Sequence, residues 1–233
     1  SAEGWIEPMV ALAEQHPTTR FILPTAESRP VAINNGARMP AWMDVAKVPH
    51  TPTHPRPEDE AGIQQSAQRI LRIIQNQIAE GILPSRIILG GFSQGGAIAF
   101  HTALSKTITD PANNQPIAPA TAVIACSTWV PLPSQYPALF QETSRDMRVL
   151  QCHGTADQVI PKYRAVARYA PHLTAKETLF IHFSLFIKMS SHETLESLLT
   201  HPLVYKEYPM QHSACEEEMR DVSNFIREIL GAR

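Results

Sequence analysis

Residues 86–100 read Arg-Ile-Ile-Leu-Gly-Gly-Phe-Ser-Gln-Gly-Gly-Ala-Ile-Ala-Phe, and their order decides how the chain folds. The apolar run Arg86-Ile87-Ile88-Leu89 has the length and bulk of a buried strand, and the small and apolar residues from Gly96 to Phe100 have helical character. Between them lies Gly91-Phe92-Ser93-Gln94-Gly95, so the spacing predicts strand, sharp turn and helix with Ser93 at the apex. A serine hydroxyl is a poor nucleophile unless it stands clear of the backbone, near a base and beside amide donors, and a tight elbow meets those needs. Gly91 and Gly95 are expected to leave room where strand and helix cross, and the positive end of the helix faces developing negative charge. A flexible Gly-Ser turn would account for the five residues but not for their flanks. No Lys-Ser or Lys-Thr pair follows the glycines, which excludes a phosphate-binding loop.

Working outward, 233 residues suffice for one α/β domain with a full core, here expected over residues 1–233. A net charge of −2 with acids and bases mixed along the chain provides no basic face for nucleic acid and allows at most transient membrane contact. Small neutral or lipid-like substrates fit better. The three cysteines, Cys126, Cys152 and Cys215, lack zinc or redox spacing and suggest a reducing, cytoplasmic setting, with Cys126 and Cys152 as buried thiols. Neither a secretory leader pattern nor a bilayer-length apolar run is evident.

Apolar spacing predicts helices over about 2–15, 64–80, 96–106, 163–170 and 216–230, and strands over 20–23, 87–89, 122–125, 148–152 and 204–208. The proline-rich stretch from Pro24 to His54, with its Asn34-Asn35-Gly36 turn signal, reads as a long ordered loop. Alternating strands and helices imply a doubly wound, mostly parallel sheet. In such sheets working residues gather at the carboxyl ends of strands. Asp157 follows one strand in His153-Gly154-Thr155-Ala156-Asp157, and His212 follows the last in Pro209-Met210-Gln211-His212-Ser213. Their order, Ser93, Asp157, His212, suits a nucleophile, an orienting acid and a base. The plainer readings are a loop carboxylate and a loop histidine, one of ten. His153 is a rival base that reads as structural, while His101 and His54 read as surface residues.

Several separated segments resemble the acyl-protein thioesterase, or phospholipase/carboxylesterase, family. They are Gly90–Gly96, Gln151–Asp157, Tyr208–Ser213, Asn34–Trp42 and Trp129-Val130-Pro131-Leu132. The resemblance implies an α/β-hydrolase fold and cleavage of acyl thioesters and oxygen esters, including S-acylated proteins, lysophospholipids and small carboxylic esters, without metal or cofactor. It further implies Ser93, Asp157 and His212 as the catalytic triad, the Gln94 N–H as an oxyanion donor, and Trp129 to Leu132 as the lining of an acyl channel. Trp129 as plain core packing fits the residues nearly as well. Trp42 and Asp44 read as scaffold.

The chain departs from that family in two places. The family's first strand and its His-Gly-x-Gly-Asp loop, a second oxyanion donor, would precede Ser1, so the chain is expected to be an N-terminally truncated form, and loss of one such donor costs about a hundredfold or more in turnover. Residues 176–202 replace a short connection with an apolar stretch and a helix-spaced run from Glu193 to Leu199. That insertion reads as an element buried on the sheet, a lid, or a translated non-coding stretch. A short-chain carboxylesterase and a catalytically silent acyl-binding protein are the alternative functions. The acyl preference and the oligomeric state are not written in these residues.

Overall fold

The computed structural model describes residues 2–46, 58–161 and 191–231. Its centre is a four-stranded parallel sheet built from β3 (Ile88–Phe92), β6 (Ala122–Cys126), β7 (Arg148–Gly154) and β8 (Val204–Tyr208), in that spatial order. β6 pairs with both β3 and β7, with Cys126 in register with Phe92 on one side and Cys152 on the other. All five residues of β6 are buried. Such continuous burial is the mark of a strand covered on both faces.

Strand alternation separates two apolar layers. Val123, Ala125 and Val149 point toward α3 (Gln94–Ser105), meeting Phe100, Ala103 and Leu104. Ile124, Cys126, Leu150, Cys152 and Tyr208 point the other way, toward Leu12 of α1 (Ile6–Gln15) and Val222, Phe225 and Ile226 of α5 (Glu216–Gly231). α2 (Glu60–Ala79) packs on α3 through Ile63 against Ala97 and Ile98. Helices therefore flank a parallel sheet, in agreement with the doubly wound architecture expected. His16 Nε2 meets Ser223 Oγ at 2.9 Å and ties α1 to α5.

Several boundaries and one side chain correct the sequence reading. Arg20–Leu23 has no strand pairing; it is irregular chain whose Phe21 packs at the rim of the α1/α5 layer. The Pro24–His54 loop contains an antiparallel hairpin, β1 (Ser28–Val31) and β2 (Ala37–Pro40), turned at Asn35 (φ 55°) and Gly36 (φ 77°), so the turn signal joins two short strands rather than marking irregular chain. α2 starts four residues before Gln64 because Asp59 caps it, its Oδ1 accepting the Gly62 N–H at 2.9 Å. A minor pair, β4 (Ile108–Thr109) and β5 (Pro116–Ile117), follows α3. His101 is not a surface residue; α3 lies between the sheet and α2, and that leaves the imidazole with no exposure.

The helix expected over 163–170, His54, and residues 176–190 of the insertion lie outside the described residues. α4 (Ser191–Leu198), where helical spacing was read, buries Leu195 and Leu198 against α3, β6 and β7. No helix among the described residues is long and apolar enough to cross a membrane.

Candidate active site

The elbow between β3 and α3 is the starting point. Ser93 stands at its apex with φ 53° and ψ −122°, a conformation that a residue bearing a Cβ adopts only when its surroundings impose it. Three contacts impose it. The Ser93 N–H donates to the Cys126 carbonyl at 2.9 Å, its own carbonyl accepts from Ala97 N–H at 3.1 Å, and Thr128 Oγ1 donates to that carbonyl at 2.6 Å. The hydroxyl is thereby raised above the carboxyl ends of the strands.

The crossing of strand and helix needs glycine at two positions, but not both of those expected. A Cβ on Gly91 would come within 2.3–2.5 Å of backbone atoms of Gly95 and Gly96, and one on Gly96 within 2.6 Å of Thr128 Cγ2 and 2.8 Å of the Gly91 carbonyl. One on Gly95 would meet only Trp42 Nε1, at 3.7 Å. The second essential glycine is therefore Gly96 rather than Gly95. Gly91→Ala is expected to lower unfolding free energy by about 2–3 kcal/mol, because the first turn of α3 must move, whereas Gly95→Ala is expected to change it by less than about 1 kcal/mol. Urea unfolding of the two variants checks this; equal losses would show that the crossing is not the constraint.

Asp157 and His212 arrive from the ends of β7 and β8. The two loops are zipped by Thr155 N–H to Tyr208 O (2.8 Å) and Ala156 N–H to Met210 O (3.1 Å). They approach so closely at Gly154 that a Cβ there would lie 2.4 Å from the Gln211 carbonyl oxygen. His212 Nδ1 donates to Asp157 Oδ2 at 2.7 Å, and the Ser93 hydroxyl donates to His212 Nε2 at 3.0 Å. The Asp157 side chain has no exposure, and its other oxygen accepts the N–H groups of Val159 (2.9 Å) and Ile160 (2.8 Å). Both carboxylate oxygens are thus hydrogen-bonded, and the imidazole is held in one orientation. The structure brings the three residues together in an unbroken hydrogen-bonded chain.

His153 is fully buried below them, with Nε2 on the Ile160 carbonyl at 2.8 Å and 3.7 Å from Asp157 Oδ2. Burial lowers its pKa, partly opposed by the Ile160 carbonyl and the Asp157 charge. It supports the Asp157 loop and does not reach Ser93's partner.

Gln94 lies in the first turn of α3, where backbone N–H groups have no intrahelical acceptor. Its side chain, which the sequence reading passed over, accepts from Trp42 N–H at 2.9 Å and donates to Met43 O at 3.4 Å, fastening the Trp42-Met43 loop to the elbow. Phe92 was also missed. Its ring packs at a tilt against His212, 4.6 Å between centroids, and against Trp5 at 5.1 Å. Asp44 Oδ1 accepts Ala32 N–H at 2.7 Å, a contact within the loop, while Trp42 is among the residues that line the cavity beside Ser93.

Ser93 opens on an apolar cavity of about 790 Å³ that runs along the edge of β3. Trp5, Ile88, Phe92, Ile124 and Trp129 are among its walls. Leu132 is buried beside Trp129 in the cluster with Met43 and Ile63, and is not among the lining residues. Glu58 braces this segment, accepting Trp129 Nε1–H at 2.6 Å and Leu132 N–H at 2.7 Å.

Comparison with known proteins agrees with this architecture. A family model described as Phospholipase/Carboxylesterase matches residues 1–184. The acyl-protein thioesterase 1 of Mycosarcoma maydis is 34% identical over 245 residues, taking in 100% of this chain and 88% of that protein. That of Cryptococcus neoformans is 31% identical over 231 residues, covering 99% of this chain and 88% of the relative. Among solved structures, Arabidopsis thaliana SOBER1 superimposes with a TM-score of 0.72 at 24% identity over 99% of this chain and 93% of that one, a likeness of fold. By its family match over most of its length and by its sheet, the chain belongs to the phospholipase/carboxylesterase family of α/β-hydrolases.

Proposed function

We propose that this protein is a serine acyl hydrolase that cleaves long-chain acyl thioesters and oxygen esters through an acyl-enzyme. The observation that carries the reading is the hydrogen-bonded chain from Ser93 Oγ through His212 to Asp157, with links of 3.0 and 2.7 Å. Neutral His212 takes the Ser93 proton as Oγ attacks the acyl carbonyl, and Asp157 stabilises the imidazolium that forms. The Gln94 N–H, at the positive end of α3, donates to the oxyanion of the tetrahedral intermediate. His212 then returns the proton to the departing thiol or alcohol, and water repeats the sequence to free the acid and Ser93.

Two features support a long acyl chain. The cavity beside Ser93 is apolar and has a volume within the range of small-molecule sites, about 300–1,000 Å³. Relatives at 31–34% identity are named acyl-protein thioesterases, which supports S-acylated proteins as one substrate class, and the family description, Phospholipase/Carboxylesterase, is compatible with lysophospholipids and carboxylic esters beside them. In this reading Trp129 contacts the acyl chain and Leu132 backs Trp129.

The test is covalent labelling by a fluorophosphonate, followed by rates on thioesters and oxygen esters of increasing chain length. Labelling with kcat/KM rising by about tenfold or more from short to long chains is the expected result, since each added methylene that is buried contributes about 0.8 kcal/mol. Labelling with a preference for short chains would select a carboxylesterase of small esters instead. No labelling of the folded protein would leave a silent acyl-binding protein.

A further inference from the structure

A second group of chemically capable side chains lies on the other face of the sheet from α3, within the α1/α5 layer. Cys126 near the end of β6, Cys152 in β7 and Glu218 in the first turns of α5 are all buried, and one ligand atom from each lies within 4.8 Å of the others. The two cysteines meet because β6 and β7 are in register at these positions. Glu218 is the anomaly of the group: it has no exposure, no nitrogen or hydroxyl donor among the described residues meets either carboxylate oxygen, and its polar neighbour is the Cys126 thiol, while burial pushes its carboxyl up to about 7. A buried carboxylate beside two thiols, with no cationic side chain near it among the described residues, is costly to keep charged, and a divalent cation would supply the missing positive charge. The Cys152 thiol has one further polar neighbour, the Tyr208 hydroxyl at 3.5 Å, which itself donates to Asp221.

We propose that Cys126, Cys152 and Glu218 form a binding site for a borderline-soft divalent cation, Zn²⁺ in the first instance. Two thiolates and one carboxylate select zinc over magnesium or calcium. With Zn–S of about 2.3 Å and Zn–O of about 2.0–2.2 Å, tetrahedral ligand atoms sit about 3.5–3.8 Å apart, so the present spacing closes onto an ion with shifts of about 1 Å or less. The thiols lose their protons as the ion enters, and the three anionic ligands leave one coordination position for water. Cys126 also lines the large cavity, which gives the ion a route from solvent.

The site is structural in its reach. An ion there would clamp β6, β7 and α5 together directly beneath the elbow, since the Cys126 carbonyl holds the Ser93 N–H and the Cys152 carbonyl holds the Ser127 N–H at 2.8 Å. It is independent of the hydrolytic reading.

The experiment is titration of the whole chain with Co²⁺ under a phosphine reductant, watching the thiolate-to-cobalt charge-transfer absorption in the near ultraviolet, and then competition with Zn²⁺. One equivalent of Co²⁺ is expected to produce the band and Zn²⁺ to abolish it. Cys126→Ser and Cys152→Ser are expected to remove at least half of the band, Glu218→Gln to weaken Co²⁺ binding by about tenfold or more, and Cys215→Ser to leave it unchanged. Zn²⁺ at a hundredfold excess over its dissociation constant is expected to raise the Tm of the unmutated protein by about 5–10 °C. Absence of the band in that protein, or a band that survives both serine substitutions while disappearing in Cys215→Ser, overturns the proposal whatever the variants do to folding.

Discussion

Ser93→Ala is expected to reduce ester and thioester turnover by about 10⁵-fold or more while leaving the protein folded. The size of the effect follows from the proposed covalent route, because among the described residues Ser93 is the hydroxyl placed on His212 Nε2. The fold should survive, since the elbow is held by the backbone of Ser93 and by Thr128, and the hydroxyl itself makes its contact only with His212 among the hydrogen bonds described. Asp157→Asn should cost about 10⁴-fold, through loss of the correct imidazole tautomer and of charge stabilisation. The measurement is kcat on a chromogenic ester together with thermal unfolding of each variant. A Ser93→Ala protein that retained turnover within tenfold of the parent would remove the nucleophile assignment, and with it the acyl-enzyme.

The second large effect concerns stability in acid. His101 is buried in α3 with neither ring nitrogen hydrogen-bonded, and burial, with a smaller contribution from the Lys106 charge, lowers its pKa from 6.5 to about 4. A base whose folded pKa is depressed contributes its full stability above the unfolded value, and loses it as pH falls from 6.5 toward 4, because the unfolded chain binds the proton first. At about 1.4 kcal/mol per pH unit, the loss from this one residue reaches about 3 kcal/mol by pH 4. His153 acts in the same direction, its pKa also being lowered by burial.

His101→Leu removes the titrating group without removing a hydrogen bond, so the variant should unfold less readily in acid than the parent. Unfolding free energies from urea titrations at pH 7 and pH 4 should show the variant gaining about 3 kcal/mol on the parent as the pH falls. A gap independent of pH would mean that His101 is protonated equally in the folded and unfolded chain.

Much of the candidate site was legible in the residues. Gly91-Phe92-Ser93-Gln94-Gly95 carries a local constraint, a sharp turn between two elements of recognisable periodicity, and local constraints survive in sequence. Asp157 and His212 could be singled out because the carboxyl ends of parallel strands converge, which makes position after a strand informative. Phe92 and the side chain of Gln94 were passed over because their work is done across space. Phe92 touches His212, 120 positions later in the chain, and Gln94 holds a loop about fifty residues before it.

The misread elements failed for related reasons. Proline and the lack of clean alternation hide the hairpin inside Pro24–His54, and its pairing depends on the Asn35-Gly36 turn rather than on strand periodicity. His101 was placed at the surface because histidine usually is, yet α3 carries apolar residues on nearly every side and is enclosed between the sheet and α2. The exchange of Gly95 for Gly96 as the required glycine depends on a helix phase that spacing alone does not supply.

The sequence by itself determined the class of fold, the order of the main strands and helices, and the identity of the three residues that meet above the sheet, since each rests on periodicity or on a short motif. Only the tertiary structure decided which side chains hold those residues in place, which glycine the crossing needs, and that two cysteines and a glutamate share one buried space. Those are contacts between elements far apart in the chain. They are set by strand register and helix packing, which no local window of residues encodes.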